Sequence, residues 1–171
     1  MGRDCGKPEP TRWRSARAPN CIARKVLTQA EAIADIYRTS ALSGVKKIKV
    51  VAVQQIYNEF ASGNIDVSAI RNYSRFLYWR GGGASSPYRY LLVGKPYYQL
   101  RMRHEDLNLI PNYQSENSIN SDLSFGSDDI FGFLDPNENA ERGELDIGIG
   151  RYAVYQTDQA DQLIRHEQAY H

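Results

Sequence analysis

The residues best placed to do chemistry in this chain are carboxylates. Asp146 stands at the head of the apolar run Leu145-Asp146-Ile147-Gly148-Ile149-Gly150-Arg151. A carboxylate in an apolar strand must be solvated, paired or working, because an unpaired buried charge is too costly. At a strand end it can orient a histidine and favour its charged form. The bland reading of Asp146 is an ion pair with Arg151 or a loop lysine. A second acidic group, Asp122, Asp128, Asp129 and Asp135, has the oxygen chemistry of a hard-cation site. Its spacing does not match an EF-hand loop, so turn formation and capping are the simpler use.

Other chemistries find less support. A cysteine nucleophile needs a thiol beside an imidazole. The three histidines are His104, His166 and His171, one in a charged stretch and two near the end of the sequence. Cys5 and Cys21 both fall in a basic leading segment without periodicity, so neither reads as a nucleophile. They have no nearby ligands for a zinc site. Gly81-Gly82-Gly83 follows a helical pattern rather than a strand, the wrong context for a phosphate loop. Gly148-Ile149-Gly150 reads as a packing feature inside a strand, where glycine marks close approach of another group.

These residues must be positioned by an α/β framework. Thr28 and Glu31 have capping-box spacing, and Leu27, Ala30, Ile33, Ala34 and Tyr37 follow helical spacing, which predicts a helix over 27–40. Residues 47–53, Lys-Ile-Lys-Val-Val-Ala-Val, read as a strand. Gln54–Phe60 reads as a short helix ended by Ser62-Gly63. Asp66 or Ser68 caps the next helix, whose stripe is Ile70, Tyr73, Phe76 and Leu77. The continuous run within 88–94 fits a strand buried on both faces. Residues 95–109 and 111–127 read as loops, Ile130–Leu134 as a short strand, Leu145–Tyr152 as a further strand. Thr157-Asp158 caps a last helix with Ala160, Leu163 and Ile164 inward. The alternation implies a three-layer α/β fold: a mostly parallel sheet flanked by helices. In such sheets ligands bind beyond the carboxyl ends of the strands.

Composition narrows the class. With 42% hydrophobic and 24% charged residues in 171, the chain reads as one globular domain. Residues 1–26 hold seven Lys/Arg against two Asp/Glu, and the remainder fourteen against eighteen. The basic leader 1–26 therefore reads as unpatterned, disordered or not native to the domain, and 27–171 as a partial α/β catalytic domain. The acidic body gives no footprint for nucleic acid. No apolar run reaches the ~18 residues of a membrane span, and the basic start lacks the apolar core of a signal peptide.

Six segments in order carry a resemblance. They are 55–63 (Gln-Ile-Tyr-Asn-Glu-Phe-Ala-Ser-Gly), 66–73 (Asp-Val-Ser-Ala-Ile-Arg-Asn-Tyr), 90–94 (Tyr-Leu-Leu-Val-Gly), 110–118 (Ile-Pro-Asn-Tyr-Gln-Ser-Glu-Asn-Ser), 127–132 (Ser-Asp-Asp-Ile-Phe-Gly) and 145–151. Together they resemble the gingipain family of cysteine peptidases, and within it the sortase-like peptidases of type IX secretion. The resemblance covers about 27–165.

It implies a caspase-like fold, peptide-bond cleavage by a thiolate with a histidine partner, and processing of C-terminal sorting signals on exported cargo. It further implies protein substrates and secretion-system partners, and a place at the cell surface, outer membrane or periplasm. Asp146 matches the position of an acidic residue that supports the family's histidine. No cofactor is expected, and calcium enters only through the resemblance. The family's Gly-His-Gly-like motif and its later cysteine have no counterpart here, and Gly94-Lys95-Pro96 stands where an acidic turn is usual. The expectation is a truncated or frame-disrupted product with a foreign leader, inactive alone. The alternative is a non-enzymatic α/β protein-binding module.

Overall fold

A computed structural model describes residues 20–23, 26–40, 48–80, 89–97, 109–115, 125–138 and 143–170. Its elements in chain order are β1 (Asn20–Ala23), α1 (Leu27–Thr39), β2 (Lys49–Ala52), α2 (Val53–Phe60), α3 (Val67–Arg80), β3 (Arg89–Val93), β4 (Lys95–Tyr97) and β5 (Leu109–Pro111). There follow β6 (Tyr113–Gln114), β7 (Gly126–Ser127), a 3-10 turn (Asp129–Phe131), β8 (Gly148–Tyr152) and α4 (Thr157–Tyr170).

The four-stranded sheet has the order β2-β1-β3-β8, and all three pairings are parallel. Side chains alternate across a strand, and the sequence uses both faces. Val51, Tyr90 and Leu92 point to one side, where they join Ile56 and Tyr57 of α2 and Ile70, Tyr73 and Leu77 of α3. Ala23 and Val93 belong to the opposite cluster, with Ala30 of α1 and Ala160 of α4. Two apolar faces need two helical covers, which is why the fold has three layers. Tyr73 sits edge-on to Phe60 and Tyr90, at centroid distances of 5.9 Å and 6.3 Å, the arrangement aromatic quadrupoles favour.

Local signals account for most boundaries. Asp66 Oδ1 accepts the Ser68 N–H at 2.8 Å and so caps α3. The α2–α3 turn passes through Ser62 and Gly63 at φ 51° and 86°; Gly63 takes the left-handed position without a Cβ penalty.

Several expectations are corrected. The stretch 1–26 was expected to hold no strand, yet Asn20–Ala23 form β1 inside the sheet, between β2 and β3. Four residues are too short to show a period of two, and Ala23 is small rather than overtly apolar. The rest of the leader lies outside the described residues. The capping box at Thr28 does not form: α1 starts at Leu27, with Val26 at the N-cap and no side-chain cap. Val26 is buried in the core, so its burial outweighs the cap that a two-residue shift would give. Residues 95–97 and 109–111 are not plain loop but a short parallel pair, and Tyr113–Gln114 pairs antiparallel with Gly126–Ser127. The expected strand Ile130–Leu134 is a 3-10 turn followed by irregular chain. Its apolar residues face the core, but a short apolar run does not by itself distinguish a strand from a turn.

Candidate functional site

The acidic turn and the strand that stood out in the sequence are brought together. Residues 128–134 run along β8 in the reverse direction, from its carboxyl end to its amino end. Each end of this strap is fastened by a charged side chain of the 145–151 stretch. Between the ends, Ile130 and Phe131 are buried in the core shared with α3.

At the carboxyl end the fastener is Arg151. Its Nε and Nη2 each donate to one Asp128 oxygen at 2.6 Å. Its Nη1 donates to the carbonyls of Gly94 and Ile110, at 2.9 Å and 3.0 Å, and Nη2 also reaches Pro111 O at 3.3 Å. A guanidinium has five N–H donors, and these five bonds use them all. The fork ties β8 to the exit of β3, to β5 and to the strap. Its side chain is only 8% exposed, so the fixed bidentate geometry carries a charge out of water without an unpaired donor.

At the amino end the fastener is Asp146. Its Oδ2 accepts the Leu134 N–H at 2.9 Å and its Oδ1 the Tyr78 hydroxyl at 3.3 Å, while its own N–H donates to Gly132 O at 3.1 Å. The Asp146 charge, foremost, pushes the Tyr78 hydroxyl above its ordinary pKa. α3 adds two arginines. Arg71 donates to the carbonyls of Phe133 and Glu138 at 2.9 Å and 2.6 Å. Arg75 donates to those of Leu134 and Asp135 at 2.9 Å and 3.1 Å. Burial first, then the neighbouring Arg75 charge, lowers the Arg71 pKa.

The ion pair between Asp146 and Arg151 weighed from the sequence is not formed. Asp146 lies in the bend before β8 and Arg151 near the far end of that strand, so the two side chains engage opposite ends of the strap. Arg151 shares its side with Ile147 and Ile149, and a charge at the end of such an apolar row demands a partner. That was the signal available for Arg151, and for Asp128 as its mate. Gly132 is the glycine the packing requires: a Cβ there would lie 2.9 Å from Ile147 O and 2.7 Å from Leu145 Cδ2. At Gly150 a Cβ would meet nothing closer than 3.7 Å, so the expected close approach inside the strand does not occur there.

A third polar group lies on the other face. Tyr37 of α1, Tyr152 of β8 and Glu167 of α4 form a triangle. The two hydroxyls are 2.8 Å apart, and Glu167 accepts from Tyr37 at 3.0 Å and from Tyr152 at 2.8 Å. Burial, then the bonds to Tyr37 and Glu167, raises the Tyr152 pKa well above the ordinary tyrosine value.

Of the remaining candidates, His166 lies exposed on α4 with its ring against Tyr170 at 4.8 Å. Cys5, His104, Asp122 and His171 lie outside the described residues. Cys21 falls on β1 at the register position beside Val50 and Leu91. Asp128 gives both oxygens to Arg151, Asp129 opens the 3-10 turn, and Asp135 follows the strap. Among the described residues, no group of three or more His, Cys, Asp or Glu could hold a metal, so the acidic group does not fit calcium there. No helix among them is long and apolar enough to cross a membrane.

A parallel sheet flanked by helices on both faces is the architecture of a caspase-like α/β domain, and comparison with known proteins names the family. The description of peptidase family C25 matches residues 19–171; the chain belongs to this family, the gingipain family. Its first matched residue is next to β1, so the family's pattern includes the strand that the sequence reading passed over. Among solved structures, the chain is similar to the dimeric latent PorU from Porphyromonas gingivalis, with a TM-score of 0.69 at 23% identity. That likeness covers 86% of this chain and 15% of that one. No curated protein matches.

Proposed function

We propose that these residues form a supporting part of a gingipain-type cysteine peptidase that works in type IX secretion, trimming C-terminal sorting signals from exported protein cargo at the cell surface. The observation that carries the proposal is the family match across 19–171, joined to a strap whose two fastening side chains, Arg151 and Asp146, are engaged internally. Arg151 has no donor left for a substrate carboxylate, and Asp146 has a bond on each oxygen. In this reading both are positioning residues: they hold the carboxyl and amino ends of β8 in place for chemistry performed by groups that the 171 residues do not supply in the family's motif. The resemblance that makes Asp146 the support of a histidine stands beside this as the finer proposal, which adds the histidine to the acceptors Asp146 already serves.

The test is hydrolysis of a peptide carrying a C-terminal sorting signal by the purified 171-residue chain. The expected result is no turnover, because loss of one member of a catalytic pair removes most of the rate. Cleavage abolished by a thiol alkylator would overturn it. The internal satisfaction of Arg151 and Asp146 also favours a second reading, a non-enzymatic α/β binding module. A cooperative thermal transition without aggregation supports that module; a chain that precipitates on purification counts against it.

A further inference from the structure

We draw no further inference here: the strongest candidate, the buried Asn112 side-chain oxygen at the root of the β6–β7 hairpin beside the Arg151 fork, carries nothing, because it is a single acceptor and nothing in the structure shows what donor meets it.

Discussion

The two ends of β8 solve one problem in different ways. At the carboxyl end, a buried arginine gathers a carboxylate and three carbonyls that arrive from β3, β5 and the strap. At the amino end, a carboxylate accepts a backbone N–H and a tyrosine hydroxyl, and two arginines of α3 hold the carbonyls that follow. The first fastening joins several segments through one side chain. The second spreads the same load over Asp146, Arg71 and Arg75. A single fork concentrates the risk: removing it strands a half-buried carboxylate and three acceptors together, whereas any one member of the distributed set leaves the others in place.

The largest effect should therefore come from Arg151→Met. It leaves Asp128 without a partner, and breaking a buried pair in this way costs about 3–5 kcal/mol. Urea unfolding of the variant should show the loss as a lower midpoint with an unchanged slope. A loss of less than about 1 kcal/mol would mean that the pair behaves as an exposed one and that the comparison fails. Converting both partners, Arg151→Met with Asp128→Leu, should recover part of the loss, since it removes the orphaned charge.

Asp146→Ala should cost less, about 1–3 kcal/mol for an unsatisfied amide and hydroxyl. Asp146→Asn should lie between, because it keeps one acceptor but turns a donor toward a neighbouring donor. Strap movement in these variants is measurable by hydrogen exchange at Leu134, whose amide should lose protection in Asp146→Ala and keep it in Arg151→Met. Since Asp146 and Arg151 are five positions apart on extended chain, roughly 16 Å at ~3.3 Å per residue, the two losses should add to within ~0.5 kcal/mol. Strong non-additivity would show instead that the strap transmits strain between its ends.

Gly132→Ala probes the middle of the same strap. Its Cβ would press on Ile147 O and Leu145 Cδ2. Leu145 is 51% exposed and can swing away, but the backbone carbonyl cannot. The expected cost is about 1–2 kcal/mol, at the low end for overpacking, read as a lower melting temperature. Gly150→Ala is the matched control, with no loss expected.

How legible this was in the sequence differs along the chain. α2, α3, β3 and α4 are readable because their apolar spacing is long and their ends carry Asp66, Ser62-Gly63 or Thr157. β1 is not, because four residues between basic neighbours give no period, and its place in the sheet depends on pairing with β2 and β3. The strap is half readable. Its acidic start and the apolar Ile130 and Phe131 stand out, but what those carboxylates hold depends on long-range contacts. Alternation sets Arg151 beside Ile147 and Ile149, so the need for a partner is present in the sequence; the identity of that partner, 23 residues earlier, is not. The Tyr37–Tyr152–Glu167 triangle is invisible in the sequence, since its members come from three elements in two layers.

That triangle gives the smallest and most conditional effect, and it separates the two faces of β8. Arg151 fastens the strand on the α2/α3 side with a guanidinium charge. Tyr152 fastens it on the α1/α4 side with a hydroxyl that folding protects. Folding raises the Tyr152 pKa above its unfolded value of ~10, and those of Tyr37 and buried Tyr73 are raised as well. A raised pKa means that the folded state holds the proton where the unfolded state releases it. Stability is therefore fully present below pH ~10 and falls as pH climbs past that value. Tyr152→Phe removes one of these protons and two hydrogen bonds. It should cost about 1 kcal/mol at neutral pH and flatten the alkaline decline, so that variant and wild type converge between pH 10 and 11 on a ~pH 10 unfolded reference. Arg151→Met should shift the whole curve down without changing its alkaline slope. If Tyr152→Phe instead leaves the slope unchanged, the hydroxyl is not protected by folding, and the α1/α4 face of β8 is held by apolar packing alone.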